Sequence, residues 1–162
     1  EANALHNGGK SDSDGCSIGW IMQYLSGDKK TKKMLGFIAN TFRDHFSEIK
    51  EETNEAMLRK IAYVNPNKRG GGEKAGKQYW NYLKYYKDLI VEEIELLEPD
   101  YVVVAGKNDL DKTLNILFPE YDKLDNKRAY IVKGVKWFST CHFAAGRKED
   151  FEYAFNTAKN LV

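Results

Sequence analysis

The sequence is poor in cysteine and has no long apolar run. Its two cysteines, Cys16 and Cys141, are too few for a disulfide framework or a four-cysteine iron–sulfur cluster. Its apolar runs all fall well short of the roughly 20 residues that a membrane span needs. Residues 1–10 are small and polar, unlike the apolar segment of a signal peptide. We therefore expect a cytoplasmic protein without a membrane partner.

An excess of charge of either sign is also missing, because 25 Lys and Arg residues face 24 Asp and Glu residues. Any surface that binds nucleic acid must therefore be a local patch. What the chain does have is 42% hydrophobic and 13% aromatic residues, which is typical of a folded protein. Its length suits one domain, which we predict over residues 1–162. Residues 1–4 read like the end of a strand, so we expect a native N-terminal strand to be missing.

Short apolar runs alternate along the chain with helical stripes. The runs predict strands at residues 61–64, Tyr101–Ala105 and 135–139, with a small extra strand at Ala129–Val132. The stripes predict helices at residues 31–46, 74–97, 110–117 and 149–161. Alternation of this kind predicts an α/β fold, a three-layer α/β/α sandwich around a central, mostly parallel four-stranded sheet. Its active site is expected beyond the carboxyl ends of the strands.

Polar and glycine residues follow the predicted strand at residues 61–64. Asn65 carries an amide, which can both donate and accept a hydrogen bond and can therefore read the edge of a base. Lys68 and Arg69 come next, and Gly70 and Gly71 would let backbone amides approach a phosphate. The alternative interpretation is a turn capped by Asn65, with the two cations in solvent.

A second candidate segment follows the last predicted strand. His142 lies there, with Arg147 nearby, and a histidine in this position can stabilise an anion that develops on a leaving base. Trp20, after the first loop, could stack on a flipped base. Ordinary packing or exposure is the alternative for His142 and Trp20. No metal site and no cofactor are predicted.

Residues 71–77 also match the phosphate-binding pattern G-x-x-x-x-G-K. That pattern continues with Ser or Thr to hold magnesium, and Gln78 stands at this position. A nucleotide hydrolase of the P-loop type is therefore the least favoured of the functions that we consider.

The order of these features resembles the uracil-DNA glycosylase superfamily. The resemblance is carried by residues 1–4, by the strand before Asn65, by the helix that ends before Tyr101–Ala105, and by His142 after the last strand. It implies that Asn65 contacts the base and that His142 hydrogen-bonds the departing base. It also implies that Glu1 or Asn3 positions water, since Ala2 stands where the strongest members have a catalytic aspartate.

The resemblance implies a hydrolase of DNA repair that cleaves the N-glycosidic bond of uracil or a related base. Its partner would be single- or double-stranded DNA, or a nucleotide. Lys68, Arg69 and Arg147 would hold phosphates, together with the amides of Gly70 and Gly71. Phe143 and Ala144 stand where the superfamily usually has Pro and Ser. The alternative function is a catalytically silent member that binds nucleic acid or a nucleotide through the same pocket.

Overall fold

The computed structural model describes residues 24, 25, 27, 29–46, 53–64, 79–120 and 128–161. The chain divides into two compact units, Glu1–Glu93 and Ile94–Val162. Each unit is described by itself. The single-domain organisation stays a prediction.

In the first unit, helix α1 spans Lys29–His45. It forms where the sequence predicts a helix, because apolar residues recur three and four positions apart. Leu35 and Ile38 are buried on this stripe. Phe46, immediately after the helix, is also buried, and its ring stacks on Phe42 with 5.2 Å between the centroids. The apolar stripe of α1 therefore faces the core of this unit.

A short helix, α2 (Asn54–Leu58), packs against α1. The hydroxyl of Thr53 caps it by accepting a hydrogen bond from the amide of Ala56 at 3.1 Å. Asn54 links the two helices, since its Oδ1 accepts a hydrogen bond from Arg43 at 2.6 Å and its Nδ2 donates to the hydroxyl of Tyr24 at 3.2 Å.

The helix predicted over residues 74–97 is found as two helices over its described part. They are α3 (Tyr79–Tyr85) and α4 (Lys87–Leu97), and the end of α4 belongs to the second unit. Backbone hydrogen bonds from Tyr86 to Tyr82 (2.9 Å) and from Ile90 to Tyr86 (3.0 Å) continue across the junction. Leu83 and Ile90 are the buried residues of this pair.

The second unit holds a three-stranded sheet of order β1-β3-β2, with β1 at Tyr101–Ala105, β2 at Ala129–Val132 and β3 at Val135–Thr140. Strands β1 and β3 are parallel, whereas β2 is antiparallel to β3. The hairpin turn consists of Lys133 and Gly134, both with positive φ (51° and 80°). Two such residues give the tight turn that matches the twist of the strands.

Helices α5 (Leu110–Leu117) and α6 (Lys148–Lys159) pack against β3. The ring of Phe138 contacts Phe151 of α6 at 5.4 Å, while Trp137 contacts Phe118, just after α5, at 5.6 Å. Adjacent residues of a strand point to opposite faces, so α6 and the end of α5 cover different faces of the sheet. Within the described ranges, no helix is long and apolar enough to cross a membrane.

The predicted four-stranded, mostly parallel sandwich is wrong. The described part is mostly helical, and its sheet is small and mixed. Residues 61–64 follow α2 without joining a strand, and Ala62 and Tyr63 are exposed. Four apolar residues are too few to identify a strand by their pattern. The hairpin partner β2 makes the sheet mixed, and the strand expected at residues 1–4 lies outside the described residues.

Candidate functional site

The carboxyl ends of β1 and β3 lie at the same edge of the sheet. The register pairs Ala105 with Thr140, so the turn after β1 and the loop after β3 start side by side. Gly106 opens the turn, and a Cβ on this residue would collide with the carboxylate of Asp109. A larger residue at this position would therefore require the side chain of Asp109 to move. This edge carries His142, one of the residues predicted for catalysis.

His142 is exposed and caps a 3₁₀ turn at Phe143–Ala145. Its Nδ1 accepts a hydrogen bond from the amide of Ala144 at 3.2 Å, and its carbonyl accepts one from the amide of Ala145 at 2.8 Å. A ring nitrogen that accepts a hydrogen bond does not carry the proton, so in the neutral ring the proton is on Nε2. The backbone thus selects the tautomer in which Nε2 is a donor.

A carboxylate from α6 holds the chain just before His142. Oδ2 of Asp150 accepts hydrogen bonds from the amide of Cys141 at 2.6 Å and from the hydroxyl of Thr140 at 3.1 Å. Its Oδ1 pairs with Arg128 at 3.0 Å and lies 3.7 Å from Nζ of Lys107. Both oxygens of this carboxylate are therefore occupied.

These contacts determine the ionisation of Asp150, whose side chain is 13% exposed. Partial burial by itself would raise the pKa of the carboxyl group. The amide of Cys141, the guanidinium of Arg128 and the Cys141 thiol outweigh that effect and lower the pKa from its usual 3.8 to about 2. Asp150 is therefore a fixed negative charge at neutral pH and a poor proton acceptor.

Arg128 and Ser139 extend this network to β3 and to the turn after β1. Nε and Nη2 of Arg128 donate to the carbonyl of Ser139 at 3.2 and 2.9 Å. The hydroxyl of Ser139 donates to the carbonyl of Lys107 at 3.0 Å, which joins β3 to the turn after β1. Ser139 and Thr140 are fully buried, so their hydroxyls need these partners. The base of the His142 loop is therefore rigidly held.

Arg147 lies at the other end of the same loop, next to α6. It is exposed, and its guanidinium contacts no carboxylate within the part of the chain that the structure describes. Its neighbour Lys148, in contrast, lies 3.8 Å from Glu152. Arg147 is thus placed to contact an anion in solution that approaches His142.

Only two of the predicted site residues belong to the described part, His142 and Arg147, and they share one loop. The others lie outside the described residues: Glu1, Asn3, Trp20, Asn65, Lys68, Arg69, Gly70 and Gly71. Residues 61–64, which the sequence predicts as the strand that ends before Asn65, form no strand in the structure.

The network around Asp150 was not predicted from the sequence. One signal pointed to it, namely two hydroxyl residues, Ser139 and Thr140, that directly follow the apolar Trp137 and Phe138 at the end of the strand. Buried hydroxyls require hydrogen-bond partners, so polar side chains were to be expected around them. Their identity could not be read, because Lys107, Arg128 and Asp150 are distant from one another in the sequence.

No group of three or more His, Cys, Asp or Glu side chains that could hold a metal ion occurs among the described residues. No family model matches the chain, and no curated protein or solved structure is significantly similar to it. The resemblance to the uracil-DNA glycosylases therefore stays a prediction.

Proposed function

We propose that this protein is a uracil-DNA glycosylase-like hydrolase of the cytosol, which cleaves the N-glycosidic bond of uracil or a related base in DNA. The observation that supports the proposal best is the state of His142. Its ring is exposed at the carboxyl edge of the sheet, and Nδ1 is occupied by the amide of Ala144. Nε2 is therefore the nitrogen that can donate a hydrogen bond to a substrate.

Such a donor suits the chemistry of this bond. When the bond between the base and the sugar breaks, the electron pair leaves with the base, and the base becomes an anion. A donor that is already in place stabilises this anion more than the neutral base, and one such group contributes about 3 kcal/mol to lowering the barrier. Water then adds its hydroxyl to the sugar carbon, and its proton neutralises the base.

The remaining roles in this proposal rest on the resemblance alone. Asn65 would read the base edge and Trp20 would stack on the flipped base, while Glu1 or Asn3 would position water. Lys68 and Arg69 would hold phosphates with Arg147, aided by the amides of the glycines that follow them. Of these residues, the structure describes Arg147, whose exposure suits a phosphate contact.

A second function, binding of nucleic acid or a nucleotide without catalysis, is favoured by the state of Asp150. This carboxylate contacts the chain next to His142, yet its hydrogen bonds and ion pairs and its pKa of about 2 make it unable to activate water. A silent binder would keep His142 and Arg147 as contacts for the ligand and would not need a base.

An assay of strand cleavage at uracil tests both functions. The protein is incubated with a single-stranded or duplex oligonucleotide that contains one uracil, and alkali then cleaves any abasic site. We expect cleavage by the unaltered protein and a rate about 100- to 1,000-fold lower in His142→Ala, with binding retained. Asn156→Ala, which changes an exposed residue of α6, is the matched control and should cleave normally.

The other outcomes are equally informative. Equal rates in His142→Ala and in the unaltered protein would remove His142 from the mechanism and contradict the proposal. Binding without cleavage on either substrate would favour the silent binder. If the oligonucleotide is neither cleaved nor bound, cleavage at uracil and binding of nucleic acid are both wrong, and binding of a free nucleotide is the function that is left.

A further inference from the structure

We infer that Asp150 is a positioning residue for His142. It holds the backbone immediately before His142, so that the ring presents Nε2 to the leaving base. This inference rests on the proposed role of His142 in glycosidic cleavage. Asp150 does not contact the substrate in this view, and its effect on the reaction passes entirely through His142.

The geometry that carries the inference is a short connection from Asp150 to His142. The amide that Asp150 binds at 2.6 Å belongs to Cys141, the residue directly before His142. The hydroxyl of Thr140, one residue earlier, binds the same carboxylate oxygen. Two consecutive residues are thus tied to one side chain, which restricts the backbone rotation that would turn His142 away.

The carboxylate is itself held in place from outside the loop. Arg128 binds Oδ1 at 3.0 Å and also donates two hydrogen bonds to the carbonyl of Ser139, and Lys107 approaches Oδ1 to 3.7 Å. Asp150, held by Arg128 and Lys107, is the anchor of this loop. It connects the start of α6, the end of β3 and the turn after β1. Because both carboxylate oxygens of Asp150 have partners, this side chain is held in place and can in turn hold the loop before His142.

A simpler role for Asp150 would be to stabilise the first turn of α6, where acidic residues are favoured by the helix dipole. Glu149 offers a direct comparison, because it lies in the same turn and carries the same charge, yet it is exposed. If only the helix dipole mattered, neutralising Glu149 and neutralising Asp150 would have similar effects. If Asp150 positions His142, only the change at Asp150 affects catalysis.

The first test is a double-mutant cycle on cleavage of the uracil oligonucleotide. Asp150→Asn keeps the shape of the side chain and removes its charge, and we expect it to lower kcat about 10- to 100-fold through misplacement of the ring. In the His142→Ala background, the same change should have no further effect on kcat. Glu149→Gln is the matched control and should leave kcat unchanged.

An equal loss of kcat in both backgrounds would mean that Asp150 acts on the whole fold, and it would overturn the inference. An unchanged kcat in Asp150→Asn would also overturn it. Should Asp150→Asn fail to fold, Thr140→Val removes one of the two hydrogen bonds to Oδ2 while keeping the shape of the side chain. A several-fold lower kcat, confined to the background with His142 intact, is then the expected result.

The second test does not depend on catalysis. Nitrogen-15 NMR reports which ring nitrogen of His142 carries the proton, and amide exchange reports how firmly the amide of Cys141 is held. We expect a single tautomer with the proton on Nε2 and a protected Cys141 amide, and we expect both to be lost in Asp150→Asn. If both persist in this variant, the inference is wrong. A protein that shows this NMR result but does not cleave uracil would contradict the glycosylase function alone.

Discussion

The pKa of Asp150 links the stability of the second unit to pH. The carboxyl group titrates at about 2 in the folded protein and at its usual 3.8 when its partners are lost. Because one pKa unit corresponds to about 1.4 kcal/mol, the ionised form of Asp150 contributes about 2 kcal/mol to the free energy of unfolding at neutral pH. Screening by solvent makes this figure an upper limit.

The direction in which stability changes with pH follows from the lowered pKa of Asp150. A group whose pKa is lowered by folding stabilises the folded state above its unfolded pKa, and this stabilisation disappears as pH falls towards the folded pKa. The contribution of Asp150 should therefore be constant above about pH 5 and should be lost between about pH 4 and pH 2.

Urea unfolding from pH 7 to pH 2.5 measures this contribution. The signals of the second unit are followed by NMR in the unaltered protein, in Asp150→Asn and in Glu149→Gln. We expect Asp150→Asn to be about 2 kcal/mol less stable at pH 7 and the gap to narrow below pH 4, to about a third of its size at pH 2.5. Glu149→Gln should stay close to the unaltered protein throughout. A gap that stays the same at every pH would refute the reasoning, because the loss would then come from packing and not from charge.

Two further predictions concern the folding of the same unit. Phe138 is fully buried and its ring contacts Tyr101, Phe151 and Phe155, so Phe138→Ala should lower the free energy of unfolding by about 3–5 kcal/mol in urea titrations. A loss below about 1 kcal/mol would contradict this packing. The methyl group of Gly134→Ala would have no atom within 4 Å, but it would lie on a residue with φ of 80°. This substitution should therefore lower the free energy of unfolding by about 1 kcal/mol. A stability equal to that of the unaltered protein would mean that the turn has another conformation.

Local patterns sufficed to predict much of the second unit. Three consecutive valines in an apolar run predict β1, and the structure has this strand at the predicted residues. Helix α5 is also found at the predicted residues, and the small extra strand is present as β2. These elements are specified by neighbours in the sequence, through apolar spacing and through the two-residue turn at Lys133 and Gly134.

The order and direction of the strands depend on contacts between distant residues, and here the sequence was less informative. Residues 61–64 have the composition of a buried strand, but Ala62 and Tyr63 are exposed in the structure and these residues stay outside the sheet. A pattern of four residues specifies neither a partner strand nor a register. The prediction of a four-stranded sheet is wrong at this point. Asn65, which was expected at the end of this strand, lies outside the described residues.

The candidate site was likewise predicted only where it depends on residues that are close in the sequence. Its loop was predicted, because a histidine and an arginine that follow a strand stand out in the sequence. Its anchor was not predicted, because the contacts of Asp150 join residues up to 43 positions apart, from Lys107 to Asp150. The sequence could show only that the hydroxyls of Ser139 and Thr140 would need partners if they were buried.

The anchor also limits how this edge can bind DNA. Arg128 and Lys107 are directed at the carboxylate of Asp150, and Arg128 is further engaged by the carbonyl of Ser139, so a phosphate would have to compete with these contacts. Arg147 is the exposed cation of the loop that has no such competitor among the described residues. One phosphate contact gives weak and only mildly salt-dependent binding. Tight binding to DNA would therefore need the further cations that the resemblance assigns to Lys68 and Arg69. The net charge of the chain is only +1, so the chain as a whole adds little attraction for phosphates.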